Sequence, residues 1–138
     1  MRIARVIFAY VAAAAVGVVV LLLSIWAAEG FGDLGGSLLF VILGIPFAAA
    51  FAAPLALPAI ILSEWRGISS WIFFSLTGVL TGLLINFLIA SYPLRSDFLF
   101  ELAAFLFANV AAAMTYWWLA GRFAGKPLPN ARSFGELP

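Results

Sequence analysis

Residues 38–62 read LLFVILGIPFAAAFAAPLALPAIIL, 25 positions without one charged side chain. A hydrocarbon core about 30 Å thick needs roughly 20 helical residues to cross it, so this stretch can span with some tilt. In lipid the backbone must satisfy its own polar groups, and the run lacks the period-2 alternation of a barrel strand. It reads as a transmembrane helix. Three runs of the same kind accompany it, at 6–28, 68–90 and 98–120. Together the four hold 94 residues and a single charged side chain, Glu101.

Composition points the same way. Of the 138 residues 66% are apolar and 9% charged, against about 45–50% and about 25% in soluble domains. A net charge of +1 offers no basic field for nucleic acid. The chain has no cysteine, so thiolate catalysis, disulfides and Cys-ligated metals are excluded. It has no histidine either, which removes the commonest general base, metal ligand and haem ligand. Lys126, the one lysine, lies beyond the last apolar run, and no run offers a second carboxylate beside Glu101. The expectation is a protein without enzymatic activity, cofactor or metal.

The connections at 29–37, 63–67 and 91–97 are short, which sets consecutive helices side by side and antiparallel. Arg2 and Arg5 precede a first run too long for a typical signal-peptide core, with a bulky residue three positions before either plausible cut, so that run is expected to be retained. Arg2, Arg5, Arg66, Arg122, Lys126 and Arg132 fall on one side of the four runs, and Arg95 alone among the basic residues on the other. By the positive-inside rule both termini face the cytoplasm. Trp65, Trp71, Tyr116, Trp117 and Trp118 would mark the inner interface, with Arg66 and Arg122 as further anchors, and Trp26 and Tyr92 the outer one. The expected fold is an all-α membrane protein: a four-transmembrane-helix antiparallel bundle over 1–120 in the bacterial inner membrane. Residues 121–138, with Pro127, Pro129 and Pro138, read as an extended cytoplasmic tail.

Several positions are candidates for more than spanning. Pro46, Pro54 and Pro58 each remove an amide donor and crowd the carbonyl four residues back, so kinks or local breaks are expected in the second helix. They suit either a bent, packed helix or a discontinuous one lining a path. Ser75, Gly78, Gly82 and Asn86 share one stripe of the third helix, with a small-xxx-small pattern that serves internal packing or an oligomer face. Ala104, Ala108 and Ala112 form a similar stripe on the fourth, and Ala9, Ala13 and Gly17 on the first. Asn109, in the middle of its run, is expected to hydrogen-bond a neighbouring helix, because an unpaired amide there is costly. Glu101 reads as a helix-start anchor, favoured by the macrodipole and able to pair with Arg95, or as a coupling site for a proton or cation. In the turn 63–67, Glu64 is expected to pair with Arg66 or with the basic tail.

The stretch Glu64-Trp65-Arg66-Gly67-Ile68-Ser69-Ser70-Trp71-Ile72-Phe73, followed by Tyr116-Trp117-Trp118-Leu119-Ala120-Gly121-Arg122, resembles small uncharacterised four-helix membrane proteins of alphaproteobacteria. The quoted residues, 17 of 138, are about an eighth of the chain, and the resemblance implies no activity. Size and span number are also those of the small multidrug resistance family, whose mechanism rests on a carboxylate inside the first span. Residues 6–28 hold none. The expected function is a non-enzymatic inner-membrane protein acting by association, as an accessory or scaffold subunit or a self-associating bundle. Its partners would be the lipid bilayer and either further copies or a larger complex, with no small-molecule ligand specified. The alternative is a small transporter or channel using Glu101 and a proline-broken second helix.

Overall fold

The computed structural model describes residues 2–89 and 98–125. Tyr92, Arg95, Asp97, Lys126, Arg132 and the three tail prolines lie outside the described residues, and with them the expected Glu101–Arg95 pair. Four helices follow one another: α1 (Arg2–Glu29), α2 (Leu34–Arg66), α3 (Trp71–Ile89) and α4 (Phe98–Leu119), then a single 3₁₀ turn at Gly121–Phe123. The architecture is all-helical, and each of the four is long and apolar enough to cross a membrane.

α2 extends beyond the expected 38–62 at both ends because caps, not hydropathy, decide its limits. Asp33 stands in extended backbone and accepts the Gly36 amide on its carboxylate at 2.8 Å. Its carbonyl also takes the Ser37 hydroxyl at 2.8 Å. At the other end Gly67 adopts φ +66°, the left-handed closing conformation that glycine enters without a Cβ penalty, and returns its N–H to the Ser63 carbonyl. Asp33→Ala is expected to lower stability by about 1 kcal/mol, read as a fall in the thermal midpoint in detergent.

The break expected at the prolines is absent: α2 runs without interruption through Pro46, Pro54 and Pro58. All three prolines occupy exposed positions. A proline crowds the carbonyl on its own side of the helix, so prolines on the outer face favour an outward bow over a break.

The helices form a ring in chain order. α4 packs closely with α1 and α3, α1 also packs with α2, and the α2–α3 seam is the thinnest. Among the described residues no close backbone approach links α1 to α3 or α2 to α4 across the diagonal. Small residues set these distances. A Cβ built on Gly78 would sit 2.8 Å from the Asn109 carbonyl oxygen and 2.9 Å from the Ala113 Cβ. Gly82 faces Leu106, Gly17 faces Ala112, and Gly44 faces Val18. The pairings run in opposite directions along neighbouring helices, so neighbours are antiparallel.

The tightest packing lies at the end that holds the start of α1, the α2–α3 turn and the end of α4. Ala9, Ala13, Ile60, Phe74, Tyr116 and Ala120 make one buried cluster there. The Trp117 indole N–H donates to the Ser69 carbonyl at 2.8 Å and ties α4 to the entry of α3. Trp117→Phe keeps an aromatic ring but removes this bond and part of the indole's packing; a loss of at least about 1 kcal/mol is expected in equilibrium unfolding. The bundle does not stop at 120. Gly121 and Ala124 are buried, and Gly125, at φ +72°, lies against Gly67 so closely that an added Cβ would fall 2.5 Å from the Gly67 Cα. Residues 121–125 are thus part of the packed body, because the turn after α4 has glycines where the two backbones meet.

Candidate functional site

α2 has two buried residues, Ile60 and Ser63, both in its last two turns. Above them it keeps contact with α1, at Gly44 and Ala49, but stands off from α3 and α4, and a cleft of about 290 Å³ lies between it and the other three helices. Its walls are Tyr10 and Gly17 of α1, Ala52 and Ala56 of α2, and Gly78 and Ala108 of α3 and α4. Phe47 and Phe51 line it and are also exposed at the surface of α2, and there the cleft meets the exterior. The alanines and glycines that let α4 approach α1 and α3 leave no bulk to fill the space under α2.

The cleft is chemically quiet along most of its length. None of the described residues lining it is charged. Thr77 donates to the Phe73 carbonyl at 2.9 Å and Thr81 to the Thr77 carbonyl at 2.8 Å. The Asn109 amide donates to the Phe105 carbonyl at 2.9 Å. These donors are satisfied within their own helices. Among the described residues the Asn109 amide makes no interhelical bond, and its backbone carbonyl lies against Gly78 of α3. Tyr10 does bridge helices, its hydroxyl donating to the Ala49 carbonyl of α2.

The polar chemistry collects at one end. Tyr116 lines the cleft, is 4% exposed, and its hydroxyl has no hydrogen-bond partner among the described residues. Arg5 of α1 and Glu64 of α2 both act electrostatically on that hydroxyl. The Arg5 Nε is buried and likewise without a hydrogen-bond partner among the described residues, while its guanidinium carbon lies 4.9 Å from the centre of the Phe123 ring. Arg122 stands 4.6 Å from the same ring and 5.5 Å from that of Trp118. The 3₁₀ turn thus brings one aromatic ring between two cations.

The other candidate residues are distributed as follows. Gly78 and Gly82 face α4, and Ser75 donates to the Met114 sulfur at 3.2 Å, so that stripe is used inside the chain. Ala108 and Ala112 meet Gly17 of α1. Asn86 is half-buried and Ala104 is half-buried. Glu101 is exposed in the first turn of α4 and does not line the cleft. Trp65, Arg66, Trp71 and Trp118 are exposed, whereas Trp117 is half-buried. Tyr116 departs from its expected place in that belt, because the Phe74 ring, 5.6 Å away, and the cluster around it enclose it. Sequence reasoning missed its role; the available signal was a tyrosine four residues before the small pair Ala120-Gly121. Glu64 keeps company with Arg5 and Tyr116 across helices, a neighbourhood that spacing within the turn does not reveal. Compared with protein-family models, with curated proteins and with solved structures, the chain matches none.

Proposed function

We propose that the chain is a non-enzymatic integral protein of the bacterial inner membrane, with both termini cytoplasmic, that works by association through α2. The observation that carries this is the loose seating of α2. The small-residue seams of α1, α3 and α4 are spent on one another, while α2 is buried at Ile60 and Ser63 and elsewhere presents Leu39, Ile42, Leu43, Leu57 and Ile61 outward. Its 33 residues measure about 50 Å at 1.5 Å per residue. That exceeds a hydrocarbon core of about 30 Å, a mismatch relieved by tilt, bending and helix–helix association. The positive-inside count supplies the orientation.

The natural absence of cysteine makes the test clean. Ile42→Cys on α2 and Phe107→Cys on α4 are both exposed positions. In native membranes, Ile42→Cys is expected to crosslink to a second copy or a partner, and Phe107→Cys is not. A monomeric particle in mild detergent, with neither variant crosslinking, would overturn the proposal. A transporter path through Glu101 and the prolines draws no support from the geometry, since Glu101 lies off the cleft and the prolines occupy the outer face.

A further inference from the structure

We propose that the cleft under α2 is a binding site for one acyl chain carrying a carbonyl oxygen at its head, with the head held at Tyr116. The site is independent of what α2 meets on its outer face.

Size restricts the occupant. The cleft of about 290 Å³ is roughly twice an apolar cavity of about 150 Å³ that takes up benzene. It is smaller than a single helical turn, which fills about 400 Å³ at a diameter near 10 Å and a pitch of 5.4 Å. A partner helix therefore lies on α2 and not within the cleft, whereas on the scale of the six-carbon ligand the cleft holds about twelve carbons of a hydrocarbon chain, the rest leaving where Phe47 and Phe51 open it to the exterior. Chemistry restricts it further. A buried water needs two to four polar partners, and along most of its length the cleft is walled by alanine, glycine and large apolar side chains. An ion would find no charged wall. A flexible apolar chain needs neither.

The head group is specified by what is left unpaired. The Tyr116 hydroxyl lines the cleft and is a buried donor without an acceptor among the described residues; Arg5 and Glu64 act on it electrostatically but do not line the cleft. A buried donor left without an acceptor is costly, so an oxygen acceptor arriving at this end is stabilised. An uncharged carbonyl, of an ester or of a protonated acid, supplies one beside the Glu64 carboxylate, at the end of a chain whose length follows the cleft away from Tyr116. Access is lateral. The α2–α3 seam is the thinnest in the ring, and Phe47 and Phe51 line the cleft and are exposed at the surface, so a chain enters sideways from the bilayer, where acyl chains are the solvent. A free fatty acid and one chain of a phospholipid share this chemistry.

The full-length protein, purified in mild detergent and delipidated, is loaded separately with oleic acid, methyl oleate or dioleoyl phosphatidylglycerol, and bound mass is read by native mass spectrometry. One chain-bearing molecule per protein is expected to survive detergent removal. Tyr116→Phe, which deletes the hydroxyl alone, is expected to weaken retention about fivefold, the effect of one hydrogen bond. Ala52→Phe, which fills the cleft from α2, is expected to abolish it; helix content by circular dichroism checks that this variant folds, and Ala56→Leu serves in its place if it does not. Retention of oleic acid alone identifies the free acid as the source, retention of the phospholipid alone identifies the lipid, and retention of all three supports the shared acyl-carbonyl chemistry. No retained molecule, or retention unchanged by both Tyr116→Phe and cleft filling, overturns the proposal.

Discussion

Gly78→Leu is expected to cost the bundle about 3 kcal/mol, the upper part of the range for overpacking a closed interface. The reason is the identity of the neighbours. A Cβ at position 78 meets the Asn109 carbonyl oxygen at 2.8 Å, the Ala113 Cβ at 2.9 Å and the Val110 Cα at 3.1 Å. Two of the three are main-chain atoms of α4, and a helix backbone cannot rotate aside as a long side chain can. α4 must move away from α3, and because α4 also packs on α1, the second seam opens with it. Gly17→Ala is the matched control. Its Cβ would stand 3.4 Å from the Ala112 Cβ and 3.5 Å from the Ala108 carbonyl oxygen, ordinary contact distances. Alanine is also the better helix former by about 1 kcal/mol, so this change should leave stability unaltered or slightly raised. The two variants are compared by unfolding in a graded mixture of mild and denaturing detergent, followed by circular dichroism. Equal midpoints would show that the α3–α4 seam is not the tight one.

Phe74→Ala is expected to cost a similar amount, about 3 kcal/mol, by the opposite route of creating a void. Phe74 is buried beside Tyr116 and meets the neighbouring Phe73 edge-on at 5.3 Å. Its ring also covers Gly121, where an added Cβ would fall 2.8 Å from the ring atoms. The loss is one of dispersion contacts and fit. A local readout separates this from a general loss of stability. The amides of Phe123 and Ala124, which donate to Ala120 and Gly121 at 3.0 Å, should exchange faster before the body of α4 does. Unchanged exchange at these two amides, with a lowered midpoint, would place the role of Phe74 elsewhere.

How much of this was visible in the residues depends on whether a helix has distinguishable faces. α3 carries Ser75, Gly78 and Gly82 among bulky side chains, so its close-packing stripe is legible, though not that α4 is what it packs on. α2 is apolar all round, and a helix without a polar face does not declare which side turns inward. The prolines could thus be read as lining a path when their positions are exposed. Its ends were misjudged for a related reason: hydropathy stops at Leu38 and Leu62, but Asp33 and Gly67 can each close a helix beyond the apolar run. Tyr116 was the costliest miss. Its place beside Trp117 and Trp118 reads as an interfacial belt, and only the arrival of Phe74 from α3 and Ala9 from α1 encloses it. Contacts at such separations leave no local pattern, and the cleft is built from the same kind of contact.

The touch between Gly67 and Gly125 has a consequence in time. Residue 125 is synthesised after the whole of α3 and α4, long after residue 67. Until then the cap of α2 and its packing on α1 are what hold the turn at 67. The turn can be locked down only once α4 is in place and residue 125 has emerged. The end of α2 is therefore completed late although the helix is the second to be made, and a chain truncated before 125 would lack this lock.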